Sequence, residues 1–457
     1  MRHSLDADYL VVGAGASGLA FTDSLVDHSD AQVVIVDSRH APGGHWLDAY
    51  PFVRLHQASV FYGVSSMELG DGSIQPDGPE AGLHERASAP EICAYYARVT
   101  ERLVRTGKVR FFPGCDYLGD GRFRSRVSGD DYEVRGRRRV VNAHYLAPDI
   151  PATTPPPFAV SEPGGVVPVN QLVSIGRTPS QYVVVGSGKT ATDACVWLLG
   201  NGVDPDRICW VRPRDPWMLN RAVVQPDPAV FTGMVADTVE AAAVASSLPD
   251  LFLRLEAAGV MLRIDRDVEP TMARTPTLAQ WELDLLRSIE NVVRLGHIRG
   301  VEPGAIELDG GRVPIARDAV VVHCAAAGLR DAPAVPIWGS EAITVQPIRS
   351  GFPCFGAALA GYVEATRSTD EEKNKLCPAT PYPNSLAAWA RMTVLGSRAA
   401  SSFGAESDIH EWAQRCLLNP ARIPPAHRER PEVRSALERL GTHAEAGMSR
   451  LAELAGL

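Results

Sequence analysis

The chain of 457 residues is acidic, with a formal net charge of -9, and 45% of its residues are hydrophobic. This charge argues against nucleic acid or an anionic membrane as the partner and favours a small-molecule substrate. No apolar run reaches the roughly 18 to 20 residues of a membrane span. We expect a cytoplasmic protein of two or three domains.

The eight cysteines are scattered, without the C-x-x-C spacing of a redox dithiol or of a cysteine-bound metal. This pattern excludes a dithiol reductase of the familiar type, and we predict no metal site. We expect free thiols in a reducing compartment. The cysteines are Cys93, Cys115, Cys195, Cys209, Cys324, Cys354, Cys377 and Cys416.

The segment from Tyr9 to Asp37 carries the first clear chemical signal. An apolar run, a glycine cluster, a helical pattern and a second apolar run predict a strand, a turn, a helix and a strand. Gly13 permits the turn, Gly15 lets a pyrophosphate approach the backbone, and Gly18 lets the helix pack on the sheet. Asp37 ends the second strand, where its carboxylate can accept hydrogen bonds from a ribose diol. The predicted dinucleotide-binding residues are Gly13, Gly15, Ser17, Gly18, Asp37 and Ser38.

The next loop contains Gly43-Gly44-His45-Trp46, and Y-P-x-x-R-L follows at residues 50–55. Together with the acid that ends the second strand, this pattern resembles the flavin-containing monooxygenases and the related Baeyer-Villiger and N-hydroxylating monooxygenases. In that family the first glycine motif holds FAD and the loop runs along the flavin. The resemblance therefore implies that Gly44, His45 and Trp46 contact FAD. It also implies candidate catalytic residues beside the reactive ring, where they would hydrogen-bond oxygenated flavin: His56, Gln57 and Ser59.

The region between the two glycine motifs contains a predicted amphipathic helix, Ala89 to Gly107, and a predicted antiparallel meander. The meander strands are Val109 to Phe112, Arg122 to Val127 and Asp131 to Val141. The monooxygenases carry F-x-G-x-x-x-H just before the second glycine motif. Residues 163–171 read PGGVVPVNQ there and have no histidine at that spacing, which departs from the standard subgroups.

A second dinucleotide fold is predicted from Tyr182, because an apolar strand leads into G-S-G-K-T-A and a helix. A P-loop is excluded, since Val183 stands where that motif needs glycine. No acid ends the following strand, and two arginines stand there, which favours the 2′-phosphate of NADPH over NADH. The predicted residues of this site are Gly186, Ser187, Gly188, Lys189, Thr190, Arg212 and Arg214.

These motifs predict an α/β fold with two Rossmann-like dinucleotide-binding domains and a helical C-terminal region. We expect residues 1–175 and 316–457 to form the FAD-binding domain and residues 176–315 to form an inserted NADPH-binding domain. The apolar run Ala319 to Cys324 is expected to return the chain to the FAD domain. A glycine turn at Ser350-Gly351 and a tightly packed helix, Phe355 to Glu364, are expected to follow.

The resemblance implies an FAD-dependent, NADPH-consuming monooxygenase. Hydride would pass from NADPH to the flavin, and a flavin hydroperoxide would transfer one oxygen atom from dioxygen to a heteroatom or carbonyl of a small organic substrate. A flavoprotein dehydrogenase or reductase without oxygen insertion needs the same two folds and stays open. A nucleotide-sensing binding protein without turnover is a third interpretation. The sequence leaves the substrate and homo-oligomer formation undecided.

Overall fold

A computed structural model of the chain describes residues 1–161, 165–330, 332–349 and 351–457. The first part of the 163–171 stretch and Ser350 of the predicted glycine turn lie outside the described residues. All eight cysteines are described, and each is a free thiol.

The strands are 2 to 5 residues long, and the helices are 7 to 24 residues long. The strands are β1 (Arg2–Asp6), β2 (Tyr9–Val12), β3 (Val33–Val36), β4 (Val109–Phe112), β5 (Cys115–Gly119), β6 (Arg122–Ser125), β7 (Asp131–Arg135), β8 (Arg139–Asn142), β9 (Ala159–Val160), β10 (Val166–Pro168), β11 (Tyr182–Val185), β12 (Ile208–Val211), β13 (Trp217–Asn220), β14 (Met261–Arg263), β15 (Thr277–Leu278), β16 (Val292–Val293), β17 (Ile298–Glu302), β18 (Ala305–Leu308), β19 (Gly311–Pro314), β20 (Val320–His323) and β21 (Ala342–Thr344). The helices are α1 (Ala16–Asp27), α2 (Ala89–Arg105), α3 (Lys189–Gly200), α4 (Pro228–Ala243), α5 (Leu248–Ala257), α6 (Gln280–Leu286), α7 (Pro353–Thr366), α8 (Asp370–Leu376), α9 (Leu386–Gly404), α10 (Ser407–Arg415) and α11 (Pro431–Leu454).

The first parallel sheet has the strand order β21-β8-β2-β3-β4. Every residue of β2 and β3 is buried, as expected for wholly apolar strands covered on both faces. Val109–Phe112 pairs in parallel with Val33–Val36. The prediction that this segment belongs to the meander is therefore wrong, because the segment forms the edge strand next to β3, where the side chain of Val109 is buried. The observed antiparallel run is β5, β6 and β7.

The second parallel sheet has the strand order β10-β20-β11-β12-β16. Its central strands β11, β12 and β20 are also buried throughout. The predicted fold class, α/β with two Rossmann-like domains and a helical C-terminal region, is confirmed. The predicted limits of the inserted domain stay a prediction, and two strands of this sheet, β10 and β20, lie outside residues 176–315.

Close helix packing surrounds the sheets. A Cβ atom on Gly361 of α7 would lie 2.3 Å from the carbonyl oxygen of Phe21, so the small residues of α7 let it approach α1. Likewise, a Cβ atom on Gly447 of α11 would lie 2.3 Å from the carbonyl oxygen of Val239 in α4. The predicted helix at Ala89 is confirmed as α2, which begins with a capping box of Ser88 and Glu91. Among the helices of the described ranges, none combines the length and apolarity that crossing a bilayer requires.

Candidate functional site

The first glycine turn joins β2 to α1 at the carboxyl end of the first sheet. Gly13 has a φ of 111°, which glycine adopts without strain. A Cβ atom on Gly18 would lie 1.9 Å from the carbonyl oxygen of Gly13, so only glycine lets α1 sit this close to the turn. Ser17 is half-buried in the first turn of α1. The positive end of the helix therefore faces the space above the sheet edge.

The glycine loop of residues 43–46 lies directly against this turn. The backbone N–H of Gly43 donates to the carbonyl oxygen of Ala14 at 2.9 Å. A Cβ atom on Gly44 would lie 3.1 Å from the Cα of Gly15, so both glycines keep a narrow backbone approach open. The indole Nε1 of Trp46 donates to the hydroxyl of Tyr62 at 2.6 Å, which fixes the buried ring.

Asp37 stands at the end of β3, as predicted, and is buried. Its Oδ2 accepts from the backbone N–H of Ala14 at 2.7 Å, and its Oδ1 accepts from the backbone N–H of Arg39 at 2.8 Å. Each carboxylate oxygen keeps a lone pair for a further donor. Ser38 is exposed. Burial, with the Arg39 cation next, lowers the pKa of the neighbouring His45 to about 4, so this ring is neutral near pH 7.

The second glycine turn joins β11 to α3. Gly186 has a φ of 140°, and Gly188 immediately precedes the helix. Thr190 is half-buried in the first turn of α3. The hydroxyl of Ser187 is buried without a hydrogen-bond partner among the described residues. A buried polar group of this kind is satisfied when a ligand supplies the partner.

Arg212 follows β12 and is 1% exposed. Its guanidinium stacks over the Trp210 ring at 4.5 Å, and its Nη2 lies 3.2 Å from Asp215 Oδ1. Its Nε and Nη1 groups are buried without a partner among the residues that the structure describes. Burial lowers its pKa, partly offset by Asp215. Arg214, in contrast, is exposed, so only one of the two predicted arginines points inward.

A cavity of about 450 Å3 opens beside Arg212, at the carboxyl ends of β12 and β16. Three more guanidinium groups line it, together with Asp265 and Glu290. Arg294 is paired with Asp215 at 2.9 Å. The lining arginines are Arg212, Arg266, Arg287 and Arg294.

Lys189 lies at the start of α3, but its ammonium group turns into the protein. It pairs with Asp193 in the next helical turn and with Glu282 Oε1 at 3.3 Å. The structure therefore does not place this side chain in reach of a phosphate at the glycine turn. Its ion pairs belong to a larger cluster.

This buried cluster, here called the interdomain cluster, consists of Glu80, Arg86, Lys189, Asp193, Arg221 and Glu282. Arg86 forms a two-point pair with Glu80, at 2.6 and 3.0 Å, and Arg221 also contacts Glu80. Arg221 Nη2 reaches Glu282 Oε2 at 2.7 Å, and Arg221 is fully buried. Three carboxylates thus face three cations, which leaves the cluster neutral.

The interdomain cluster is joined to the loop that follows the first glycine motif. The hydroxyl of Tyr50 donates to Asp193 Oδ2 at 2.6 Å. The Nε of Arg221 donates to the carbonyl oxygen of His56 at 3.3 Å, and the hydroxyl of Thr277 donates to the same oxygen. Segments of both dinucleotide folds are thereby locked together around residues 50–56.

The three predicted catalytic residues have different surroundings. Burial, with the cations Lys189 and Arg221 next, lowers the pKa of His56 to about 3, so its imidazole is neutral near pH 7. Gln57 is half-buried, and its amide has no hydrogen-bond partner among the described residues. Ser59 is fully buried; its hydroxyl donates to Glu85 Oε2 at 2.6 Å and accepts from the backbone N–H of Ala87 at 2.8 Å. Ser59 therefore stabilises the loop through its hydrogen bonds. The side chains of His56 and Gln57 have polar groups without a hydrogen-bond partner among the described residues.

Known proteins resemble this chain in sequence. Residues 11–69 match the family model of the NAD(P)-binding Rossmann-like domain. The uncharacterized protein Rv2000 of Mycobacterium tuberculosis (strain ATCC 25618 / H37Rv) is 42% identical over 449 residues, covering 96% of this chain and 83% of the relative. The uncharacterized protein Mb2023 of Mycobacterium bovis has the same identity and coverage. The chain belongs to the family of these mycobacterial proteins.

The fold of this family member is shared with a solved monooxygenase structure. The polycyclic ketone monooxygenase from the thermophilic fungus Thermothelomyces thermophila is 11% identical and superposes with a TM-score of 0.50. The match covers 98% of this chain and 89% of the fungal chain. At this identity the likeness concerns the fold, and it confirms the predicted resemblance to the monooxygenase architecture.

Sequence reasoning missed most of the interdomain cluster in this family member. Glu80, Asp193 and Glu282 lie in three segments with no common motif. Arg221 follows Arg212 and Arg214 in the chain, and its side chain lies in the interdomain cluster. The one available signal was Tyr50, which opens the Y-P-x-x-R-L motif and whose hydroxyl reaches Asp193.

Proposed function

We propose that the protein is an FAD-dependent, NADPH-consuming monooxygenase that inserts one oxygen atom from dioxygen into a small organic substrate. The supporting observation is the hydrogen bond from Tyr50 to Asp193. It joins the loop that follows the first glycine turn to the helix that opens from the second. Two nucleotide sites in one chain, held against each other, suit hydride transfer between two cofactors.

The first turn fits the pyrophosphate of FAD. Gly15 and Gly44 leave a channel in which two backbones approach without side chains, at the amino end of α1. The carboxylate of Asp37, already oriented by two backbone N–H groups, keeps lone pairs for ribose hydroxyls. We propose that Gly13, Gly15, Ser17, Gly18, Asp37, Ser38, Gly44, His45 and Trp46 hold FAD.

The second turn fits NADPH. The hydroxyl of Ser187 and two N–H groups of Arg212 are buried and lack partners among the described residues. Anionic phosphates supply acceptors for such donors. The arginine-lined cavity next to Arg212 provides the positive charge that a 2′-phosphate needs. Arg212 is thus our leading residue for the choice of NADPH over NADH, and Arg214 is exposed to solvent.

When bound, FAD would accept hydride from NADPH and, once reduced, react with dioxygen. The chain supplies orientation and protection from water. Arg221 and Thr277 hold the carbonyl of His56, which fixes the loop that carries the neutral imidazole and the amide of Gln57. We propose that these two side chains donate hydrogen bonds at the reactive end of the flavin and that Ser59 positions their loop.

The decisive experiment is anaerobic reduction of the purified protein by NADPH, followed by stopped-flow mixing with oxygenated buffer. A transient absorbance between the bands of reduced and oxidised flavin, formed before reoxidation, is the expected result. The same measurement with candidate substrates present would detect a transient that forms only when substrate is bound. Direct reoxidation under every condition, with reduction of an organic acceptor, would instead support the reductase interpretation. Protein without FAD would contradict both.

A further inference from the structure

Arg349 is a half-buried cation with little compensation among the described residues. The only hydrogen bond of its guanidinium among the described residues joins its Nη1 to Asn419 Oδ1 at 3.4 Å. Within the described ranges, no Asp or Glu oxygen lies within 4.0 Å of it. Burial alone lowers its pKa to about 10, so it remains charged near pH 7. A half-buried guanidinium with few protein partners can donate its remaining N–H groups to an anion.

The surroundings of Arg349 are aromatic. The guanidinium lies 5.9 Å from the ring centre of Phe231 in α4. Phe231 meets Phe352 at 5.8 Å, and Phe352 meets Phe61 at 5.4 Å, both edge to face. One phenyl ring therefore lies beside the guanidinium, and two more rings connect it to the turn that contains Phe61. This arrangement suits a ligand with an apolar body and a charged end.

A second feature favours an anion here. Phe352 is the residue before α7, a helix of 14 residues, and within the described part of the chain no side chain caps its amino end. Phe352, Cys354 and Phe355 are all buried. The amino end of a helix carries positive potential, as Arg349 does.

This region adjoins the loop of the candidate catalytic residues. Phe61, which packs on Phe352, lies in the same short turn as Ser59, just after His56 and Gln57. Asn419 is itself held, because its Nδ2 donates to the carbonyl oxygen of Ala413 at 2.9 Å. The guanidinium is thereby fixed from one side, and its remaining N–H groups stay available.

We propose that Arg349 binds the carboxylate of an aromatic or otherwise apolar substrate. This inference rests on the proposed function, because it assigns a substrate class to the same site. The guanidinium fork would hold the carboxylate in two-point fashion, and the phenyl rings would contact the apolar body. The reacting atom of the substrate would then be oriented toward residues 56 and 57.

The test uses calorimetric binding of three probes of one shape: benzoate, benzamide and benzylamine, with the FAD-loaded protein. Benzoate is expected to bind more tightly than the neutral and cationic probes. Arg349→Gln should weaken the binding of benzoate by about 10- to 100-fold and leave the binding of benzamide unchanged. Arg349→Lys, which keeps the charge and loses the fork, should give an intermediate loss. Arg398→Gln, at an exposed position on α9, is the matched control.

Equal binding of benzoate and benzamide would overturn the proposal, as would unchanged benzoate binding in both Arg349 variants. The anion could also be the pyrimidine end of reduced flavin. In that case Arg349→Gln would shift the flavin midpoint potential and leave benzoate binding unchanged, which also overturns a substrate carboxylate. Flavin content and NADPH-driven bleaching of the same samples test the proposed function separately, because calorimetry does not depend on either.

Discussion

The two glycine turns of the chain share one backbone arrangement, but they differ in whether a Cβ atom fits against the turn. At the first turn, Gly18 faces the carbonyl oxygen of Gly13 so closely that a Cβ atom would lie 1.9 Å away. At the second turn, the corresponding position is Ala191, which is buried without such a conflict. The first strand pair ends at Asp37 and the second ends at Arg212, and both side chains are buried.

On the proposed function, this difference would let one fold select two nucleotides. The turn and the helix dipole provide a general phosphate site, and the residue after the second strand adds the discrimination. A carboxylate that already accepts two N–H groups suits hydroxyl donors. A guanidinium with two unused N–H groups suits a phosphate. The interdomain cluster then holds the two sites against each other.

Breaking the interdomain cluster should have the largest effect. Arg221→Met leaves Glu80 and Glu282 with one fewer buried cation, and we expect a loss of about 3 to 5 kcal/mol in the free energy of unfolding. Chemical denaturation measures this loss. Arg124→Met, which removes an exposed pair with Asp131, should leave the free energy of unfolding almost unchanged. Similar losses in both variants would contradict a central role for the cluster.

Substitutions at Gly18 and Ala191 test whether the two turns differ in the space that they leave for a Cβ atom. Gly18→Ala should destabilise the protein by about 3 kcal/mol and empty it of FAD, because the backbone of Gly13 must move. Ala191→Gly should cost only about 0.5 to 1 kcal/mol. The flavin-to-protein ratio and the thermal unfolding midpoint report both effects. Full flavin content in Gly18→Ala would place FAD elsewhere.

The choice of nucleotide at the second turn should depend on Arg212. Arg212→Gln is expected to weaken the binding of NADPH by about 10- to 100-fold and to leave the binding of NADH unchanged. Asp215 keeps its pair with Arg294, so the fold should persist. Arg214→Gln is the control and should change neither affinity. Equilibrium titration of flavin reduction, or direct calorimetry, distinguishes these outcomes.

The stability of the protein should fall at acid pH because of His56, and near neutral pH this loss should be small. Its pKa is lowered from 6.5 to about 3, so the unfolded chain binds the additional proton between these values. The contribution of the neutral ring is complete above pH 6.5 and is lost as the pH falls, by about 2 kcal/mol at pH 5. His56→Gln should flatten this part of the stability curve, and the exposed His40→Gln should not. Thermal unfolding from pH 5 to 8 provides the measurement.

Local patterns in the sequence were sufficient for both dinucleotide folds. Buried parallel strands are apolar throughout, and turns above them need glycine at fixed offsets, so Tyr9 to Asp37 and Tyr182 to Val211 were recognisable from spacing alone. The same reasoning misplaced Val109–Phe112, because an apolar run does not state which sheet edge it joins.

The sequence by itself determined the fold class, the two glycine turns and the charged residue that ends each second strand. Only the tertiary structure decided which charged side chains are compensated. Lys189 and Arg221 face carboxylates brought from residues 80, 193 and 282. Arg212 and Arg349, in contrast, have N–H groups without a partner among the described residues. The physical reason is that the need for a partner follows from burial and from contacts between distant segments, and neither has a local pattern along the chain.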